Sequence, residues 1–194
     1  MEITSAQLKE LRDLTGISVM QCKKALEDAG GDMDKAKIIL QKKGGEIALK
    51  KSDRELGAGA IGSYVHSTQE VAALVQLSCE TDFVSKNAEF VALAREIAMH
   101  VAAQNPLYLN RSEVDEAALT KAKEVFFEEV KDKPAEMQEK ILAGKLDAYF
   151  KDRILLEQPF IKNPEMTIGQ MISNAVQKFG ENIVISKISR ISVK

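Results

Sequence analysis

Tryptophan is absent from this chain of 194 residues, and aromatic residues together make up only 5%. A stacking platform for single-stranded nucleic acid needs several exposed rings, so that class of binder is disfavoured. Cysteine is almost as scarce. Cys22 and Cys79 are the two present, which is too few for a secreted disulfide scaffold. Reduced thiols in a cytoplasm are the expectation. Neither sign of charge dominates: 27 Lys and Arg stand against 29 Asp and Glu, a formal net charge of -2. That balance sets up no field to recruit nucleic acid or an anionic membrane. No apolar run approaches the length that spans a bilayer. Met1-Glu2-Ile3-Thr4 has no basic segment leading into an apolar one, so no signal peptide is read.

Catalytic signatures are missing as well. Histidine occurs twice, and neither His66 nor His100 has a second His or Cys ligand at helical spacing, so no metal is expected. There is no phosphate loop of the P-loop type and no Gly-x-Ser-x-Gly elbow. Gly57, Gly59 and Gly62 match the glycine spacing of a dinucleotide fingerprint, but they precede a hairpin strand, not a strand-to-helix turn. The carboxylates fall on solvent faces of helices. No catalytic residue and no cofactor is therefore assigned, and the chain reads as a binding protein, not an enzyme.

What is present is ordinary for a globular protein, with 45% apolar and 29% charged residues. The length suits one large domain, or a small one joined to a larger one. Thr4 or Ser5 can cap a helix with Leu8, Leu11 and Leu14 on one side, ended by Thr15-Gly16. Ser18 can cap a second with Cys22, Ala25, Leu26 and Ala29 inward, where Cys22 is a structural thiol. Asp32 starts a third with Met33, Ala36, Ile39 and Leu40, and Gly44-Gly45 stops it. The expected organisation is a three-helix module over 1–44, a linker over 45–59, and an α+β domain with an antiparallel sheet over 60–194. The linker contains a charged stretch, Glu46 to Arg54, that can be helical.

In the second region, Ala60 to His66 and Val71 to Cys79 read as a hairpin. The second strand is apolar at nearly every position, so it is central in its sheet. A helix from about Asn87 to Gln104 carries the stripe Phe90, Leu93, Ala94, Ile97 and Val101. Ser112 caps a further helix to about Val130. Asp132 to Pro134 turn the chain into an antiparallel partner over Ala135 to Leu156. Thr167 caps a last helix ended by Gly180, and Ile183 to Val193 form a final strand. The apolar parity of that strand shifts between Ile185 and Ile188, which implies a bulge or a change of face.

Between the hairpin and the first long helix lies Thr81-Asp82-Phe83-Val84-Ser85-Lys86-Asn87. Thr81, Asp82, Ser85 and Asn87 can bond local backbone groups and fix a turn. Phe83 stands out, because a loop aromatic must be buried somewhere. It either folds into its own core or serves as an anchor for a partner's pocket.

Thr81-Asp82-Phe83-Val84 with Lys86-Asn87 is similar to the signature loop of the bacterial elongation factor Ts family. Further matches run in the family's order. These are Leu11-Arg12-x-x-Thr15-Gly16, Met20-x-Cys22-Lys23-Lys24-Ala25-Leu26 and Gly31-Asp32. They continue with His100-Val101-Ala102-Ala103-x-Asn105-Pro106, Leu156-Glu157-Gln158-Pro159-Phe160-x-Lys162 and Phe179-Gly180-Glu181-Asn182-Ile183-Val184. The resemblance implies a guanine-nucleotide exchange factor that binds elongation factor Tu carrying GDP. It implies that the first module is similar to ubiquitin-associated domains. Family members often carry two methionines where this chain has Val19-Met20. Partner contacts are implied at Thr81, Asp82, Phe83 and Val84, and on the bundle at Lys9, Arg12, Val19, Met20 and Lys23. Longer members have two halves in the core and a coiled-coil insertion. This chain has room for one half, so a homodimer joined through its final strand, and a complex of two factors with two GTPases, is expected. The alternative from another class is an adaptor whose bundle holds a peptide or a ubiquitin-like partner.

Overall fold

The computed structural model describes residues 3–131 and 134–193. Among these residues there are eight α-helices and five β-strands, with one three-stranded and one two-stranded antiparallel sheet. The architecture is α+β, as the sequence pattern predicts.

Three helices come first: α1 (Ser5–Thr15), α2 (Val19–Asp28) and α3 (Met33–Lys51). The side chains of Thr4, Ser18 and Asp32 accept from the free amides at their N-termini. Gly16, at φ 68, ends α1 in the left-handed conformation that glycine adopts without strain. Leu11, Cys22, Ala25, Leu26, Ala36 and Leu40 form the buried centre of this bundle. Leu14, expected on the inner stripe, is 44% exposed instead. Beyond the turn at Gly16, Ile17 is buried in the same core as Leu11.

The third helix is not stopped by Gly44-Gly45. Residues 45–51, expected to open the linker, are its last two turns. Glycine inside a helix costs about 1 kcal/mol relative to alanine, but here the missing side chain is used. Helix α8 (Ile168–Phe179) packs across α3 at this point. A Cβ on Gly44 would lie 3.4 Å from the Ser173 carbonyl oxygen, at contact distance, so the two backbones pass with room for a methyl group at most.

The main sheet has the order β1 (Ala58–Val65), β2 (Val71–Cys79), β5 (Ile183–Ser192), all antiparallel neighbours. The apolar second strand is central, as its composition requires. The register of β5 slips between Ile185 and Lys187, which leaves Ser186 as the bulged residue. Its hydroxyl sits 2.7 Å from that of Ser78. This is the parity shift seen in the sequence, and it returns Ile188 to the face of Ile185.

Helix α5 (Ala88–Gln104), capped by Asn87, covers one face of the sheet. Phe90, Ala94, Ile97 and Val101 are fully buried there with Val75, Leu77 and Ile183. Phe179 of α8 meets Phe90 edge to face, with ring centres 6.0 Å apart. The helix lies very close to β1. A Cβ on Gly62 would fall 2.1 Å from the Ala94 carbonyl oxygen. The glycine series of β1 therefore serves packing, and Gly62 is a contact surface for a helix.

Helices α6 (Glu116–Val130) and α7 (Ala135–Lys151) pack antiparallel. Lys145 pairs with Glu129 at 2.6 Å, and Phe126 meets Tyr149 edge to face. Ala122, Leu146, Phe150 and Ile154 make a separate small core. The expected turn at Asp132 to Pro134 falls partly on residues 132–133, outside the described residues. Ser112 is not the cap of α6. Asn110 caps a short 3-10 turn, Arg111–Glu113, and the Asp115 carboxylate accepts from Ala118 to start the helix. Helix α7 ends at Lys151, not Leu156, because the chain beyond it bonds to 107–109 instead. The Arg153 carbonyl accepts from Leu107 and Tyr108, and the amides of Leu155 and Leu156 donate to Tyr108 and Leu109. Strands β3 (Pro159–Phe160) and β4 (Asn163–Thr167) then lead into α8.

His100 is fully buried beneath this connection. The Ile161 amide donates to Nδ1 at 3.3 Å, so the proton sits on Nε2, which donates to Gln158 Oε1 at 2.9 Å. Gln158 in turn donates to the Asp152 carbonyl. The imidazole is held neutral, and burial pushes its pKa down.

Two expectations follow. Gly62→Ala should destabilise the protein by roughly 2 kcal/mol or more, because backbone must move. Gly45→Ala, with open space around its Cβ position, should stabilise by about 0.5–1 kcal/mol. Urea unfolding of both variants reads these opposite signs, and equal effects would refute the packing argument. The second concerns pH. The folded His100 has a pKa below the unfolded value of about 6.5, so the unfolded state binds the proton first. Stability should be full above that value and fall as pH drops through it. In His100→Gln the decline between about pH 7 and 5.5 should flatten, and an unchanged slope would exclude His100 as its source.

Candidate partner-binding site

The stretch Thr81-Asp82-Phe83-Val84 follows β2 directly. Thr81 keeps an extended backbone, and Asp82–Ser85 close a single helical turn, α4. One turn of helix is not stable alone, so the neighbours decide its geometry. Val84 is 3% exposed and sits in the main core with Phe90 and Cys79. The Cys79 thiol lies 3.3 Å from the Thr81 carbonyl. On the far side Asn87 ties the end of the turn to α5 by accepting from Glu89.

Phe83 is the residue this mount presents. Its side chain is 82% exposed, and the option of folding back into its own core is not taken. Burying such a ring is worth roughly 1.5–3 kcal/mol, and that gain is left unused within the chain. Asp82 beside it is exposed, with Lys86 at 2.7 Å, and the ammonium holds its carboxyl below the usual range. Val84, expected as a partner contact, is buried and acts as the anchor of the turn. Its alternation with Phe83 explains this, because one of two adjacent residues on a turn must face inward.

The bundle residues singled out from the sequence are all at the surface. Lys9 and Arg12 stand one turn apart on α1, as do Met20 and Lys23 on α2. Met20 is 80% exposed and Val19 43%, so Met20 is not a core residue. Lys23 approaches Glu27 at 3.9 Å, and both are solvated.

The polar residues that hold the turn were not singled out from the sequence. Glu181 accepts from the Glu80 and Thr81 amides, each at 3.1 Å, and from the Thr81 hydroxyl at 2.5 Å. Glu80 accepts from the Asn182 amide at 2.6 Å and from Arg54 at 3.1 Å. The Asn182 amide bond, with Arg54 beside it, lowers the Glu80 pKa. Lys51 donates to the Gly180 carbonyl, and the Asn182 amide group donates to the carbonyls of Ser52 and Arg54. Glu181 and Asn182 lie in one of the quoted motifs and Thr81 in another, but their pairing spans about a hundred positions and only the fold reveals it.

Among the described residues no His, Cys, Asp or Glu cluster is arranged to hold a metal ion, and no helix is long and apolar enough to cross a membrane. The arrangement is one of presentation: an aromatic on a rigid turn, and a second exposed apolar group with basic neighbours on a bundle. It defines an α+β protein built for contact with another macromolecule. Residues 5–192 match the family model described as elongation factor TS. The chain is 46% identical over 194 residues to elongation factor Ts of Thermodesulfovibrio yellowstonii, which covers 100% of this chain and 97% of that protein. It is 45% identical to the elongation factor Ts of Thermosipho melanesiensis, covering 98% of each. The match to the elongation factor Ts of Fervidobacterium nodosum is also 45%, over 100% of this chain and 99% of that one. The chain belongs to the elongation factor Ts family.

Proposed function

We propose that this protein is a guanine-nucleotide exchange factor for elongation factor Tu, and that Phe83 is its wedge. The observation that carries the reading is an 82% exposed phenylalanine on a turn whose Val84 is buried in the core and whose leading amides are held by Glu181. A bulky ring held out by a rigid mount can enter a partner without first being extracted from its own core. In the partner, GDP is held through phosphate contacts and Mg²⁺. Phe83 inserts between helices of the GTPase domain and disturbs the contacts on the magnesium side, while Asp82 orders the turn or meets the same helices. Lys9, Arg12, Val19, Met20 and Lys23 grip the nucleotide-binding domain elsewhere. Factor and nucleotide then weaken one another's binding, reciprocally in free energy. The chain supplies binding energy and makes or breaks no covalent bond.

The same reading includes a homodimer. Strand β5 is an edge of its sheet. The sheet face away from α5 carries Ile61, Val65, Leu74, Ile191 and Val193, each at least half exposed. A face of aliphatics and small polar groups, with Lys187 as its one charge among the paired positions, complements a copy of itself about a two-fold axis. The uncovered edge adjoins it. Two chains would then engage two GTPases.

Stopped-flow release of a fluorescent GDP analogue from elongation factor Tu tests the first proposal. Wild type should accelerate release, and folded Phe83→Ala should lose at least about tenfold of that acceleration. Acceleration by wild type that persists in the variant would move the mechanism to the bundle, and none by wild type would end the exchange reading. Sedimentation velocity tests the second. Wild type should run at twice the 21.4 kDa chain mass, and Leu74→Lys with Ile191→Lys should run as a monomer. A wild type that is monomeric at micromolar concentration would refute the dimer.

A further inference from the structure

The turn that carries Phe83 lacks the usual device for starting a helix. Thr81 occupies the N-cap position with an extended backbone, yet its side chain makes no capping bond. Its hydroxyl points instead to Glu181 at 2.5 Å. The other carboxylate oxygen of Glu181 accepts from both Glu80 and Thr81, the two amides that lead into the turn. A carboxylate taking three donors is a charge-assisted contact, about twice as strong per bond as a neutral one.

The contact is returned. Glu80, beside Thr81, accepts from the backbone amide of Asn182, beside Glu181. Each acid thus holds the main chain of the other's segment, at the end where β2 and β5 pair through Cys79 and Ile183. Two acids so placed repel unless cations stand by. Arg54 pairs with Glu80 at 3.1 Å, and Lys51 donates to the Gly180 carbonyl next to Glu181. Both cations come from the C-terminal end of α3 and the residues just after it. Asn182 completes the join by donating to the carbonyls of Ser52 and Arg54.

We propose that Glu181 is the positioning residue for Phe83, and that Glu181 and Glu80 clamp the Phe83 turn to the end of α3. The clamp fixes the direction in which the ring points and ties it to the helix that begins in the N-terminal bundle. Val84 sets the depth of the turn, and Asn87 joins its far end to α5. The buried Val84 cannot orient the leading end, because an apolar contact has no direction, whereas the hydrogen bonds to Glu181 at that end do. The importance of the clamp for exchange rests on the reading of Phe83 as the wedge.

The chain has no tryptophan, so Phe83→Trp gives a single reporter in this chain of 194 residues. Fluorescence anisotropy decay should show a slow, rigid indole when Glu181 is present. In Glu181→Ala the reporter should gain fast local motion, and Glu181→Gln, which keeps an acceptor, should restore most of the order. With Phe83 in place, Glu181→Ala should lower the maximal rate of GDP-analogue release about tenfold. The half-saturating concentration should change less than about twofold, because the bundle still binds. Glu181→Gln should recover most of the rate. Far-ultraviolet circular dichroism confirms folding. If Glu181→Ala does not fold, Glu181→Gln and Thr81→Val give the same graded comparison. Unchanged motion of the indole reporter in a folded Glu181→Ala would overturn the clamp. So would a raised half-saturating concentration with an unchanged maximal rate. A loosened reporter with a wild type that never accelerates release would uphold the clamp and overturn only the exchange reading.

Discussion

A helix of four residues cannot hold itself. It closes one turn and leaves most of its end groups without intrahelical partners, so its shape is imposed by what surrounds it. The turn Asp82–Ser85 is in this position, and much of the domain bears on it. Strand β2 leads in as the central strand, with both neighbours paired. Val84 drops into the core shared by β2, α5 and α8. Asn87 starts α5 on the far side. Glu181 arrives from the start of the last strand to hold the leading amides. Each support comes from a different element, so the turn is fixed only when the whole α+β unit has folded.

The close approach of α5 to the sheet follows from the same need. Side chains of ordinary size at position 62 would lift the helix off β1, and with it the start of α5 and the end of the turn. Gly62 removes that spacer. Gly62 lets α5 come into backbone contact with β1, and Gly44 leaves α8 close to α3 with room for a methyl group at most. Both look like breaks when read locally, because glycine lowers helix and strand propensity alike. Tertiary contact overrides propensity where the contact needs the missing side chain.

That contrast marks what was legible in the sequence. The caps Thr4, Ser18, Asp32 and Thr167, the stops at Gly16 and Gly180, the buried stripe of α5, the central place of β2 and the bulge in β5 could all be read, whereas the expected cap Ser112 gave way to Asp115. Each is set by neighbours a few positions away or by a period of two or three and a half residues. What escaped were mainly features set by distant partners, with one set by a local turn. The run of α3 through Gly44-Gly45 depends on α8, which lies some 130 positions on. The early end of α7 depends on bonds to 107–109. Leu14 lost its place to Ile17 through the geometry of one left-handed turn. At the site, the exposed ring was one of two readings, and the motif residues were identified by resemblance. The roles of Val84 as anchor and of Glu80, Glu181 and Asn182 as supports needed the strand pairing.

The continuous α3 changes how the two presented surfaces relate. A flexible linker between the bundle and the sheet would leave Met20 and Phe83 free to bind independently, and each would gain only through effective concentration. Here the helix that begins with the cap at Asp32 ends in contact with the residues that hold the Phe83 turn. On the proposed reading, binding by the bundle then delivers the ring at a set distance and direction. A rigid lever matters for an exchange factor in a way it does not for a simple binder. Energy gained at the bundle contact can be used to strain the nucleotide site only if the connection between them does not yield. If α3 or the clamp gives way, the bundle's affinity is kept and the coupling is lost, because coupling requires differential interaction with the two partner states, not affinity alone.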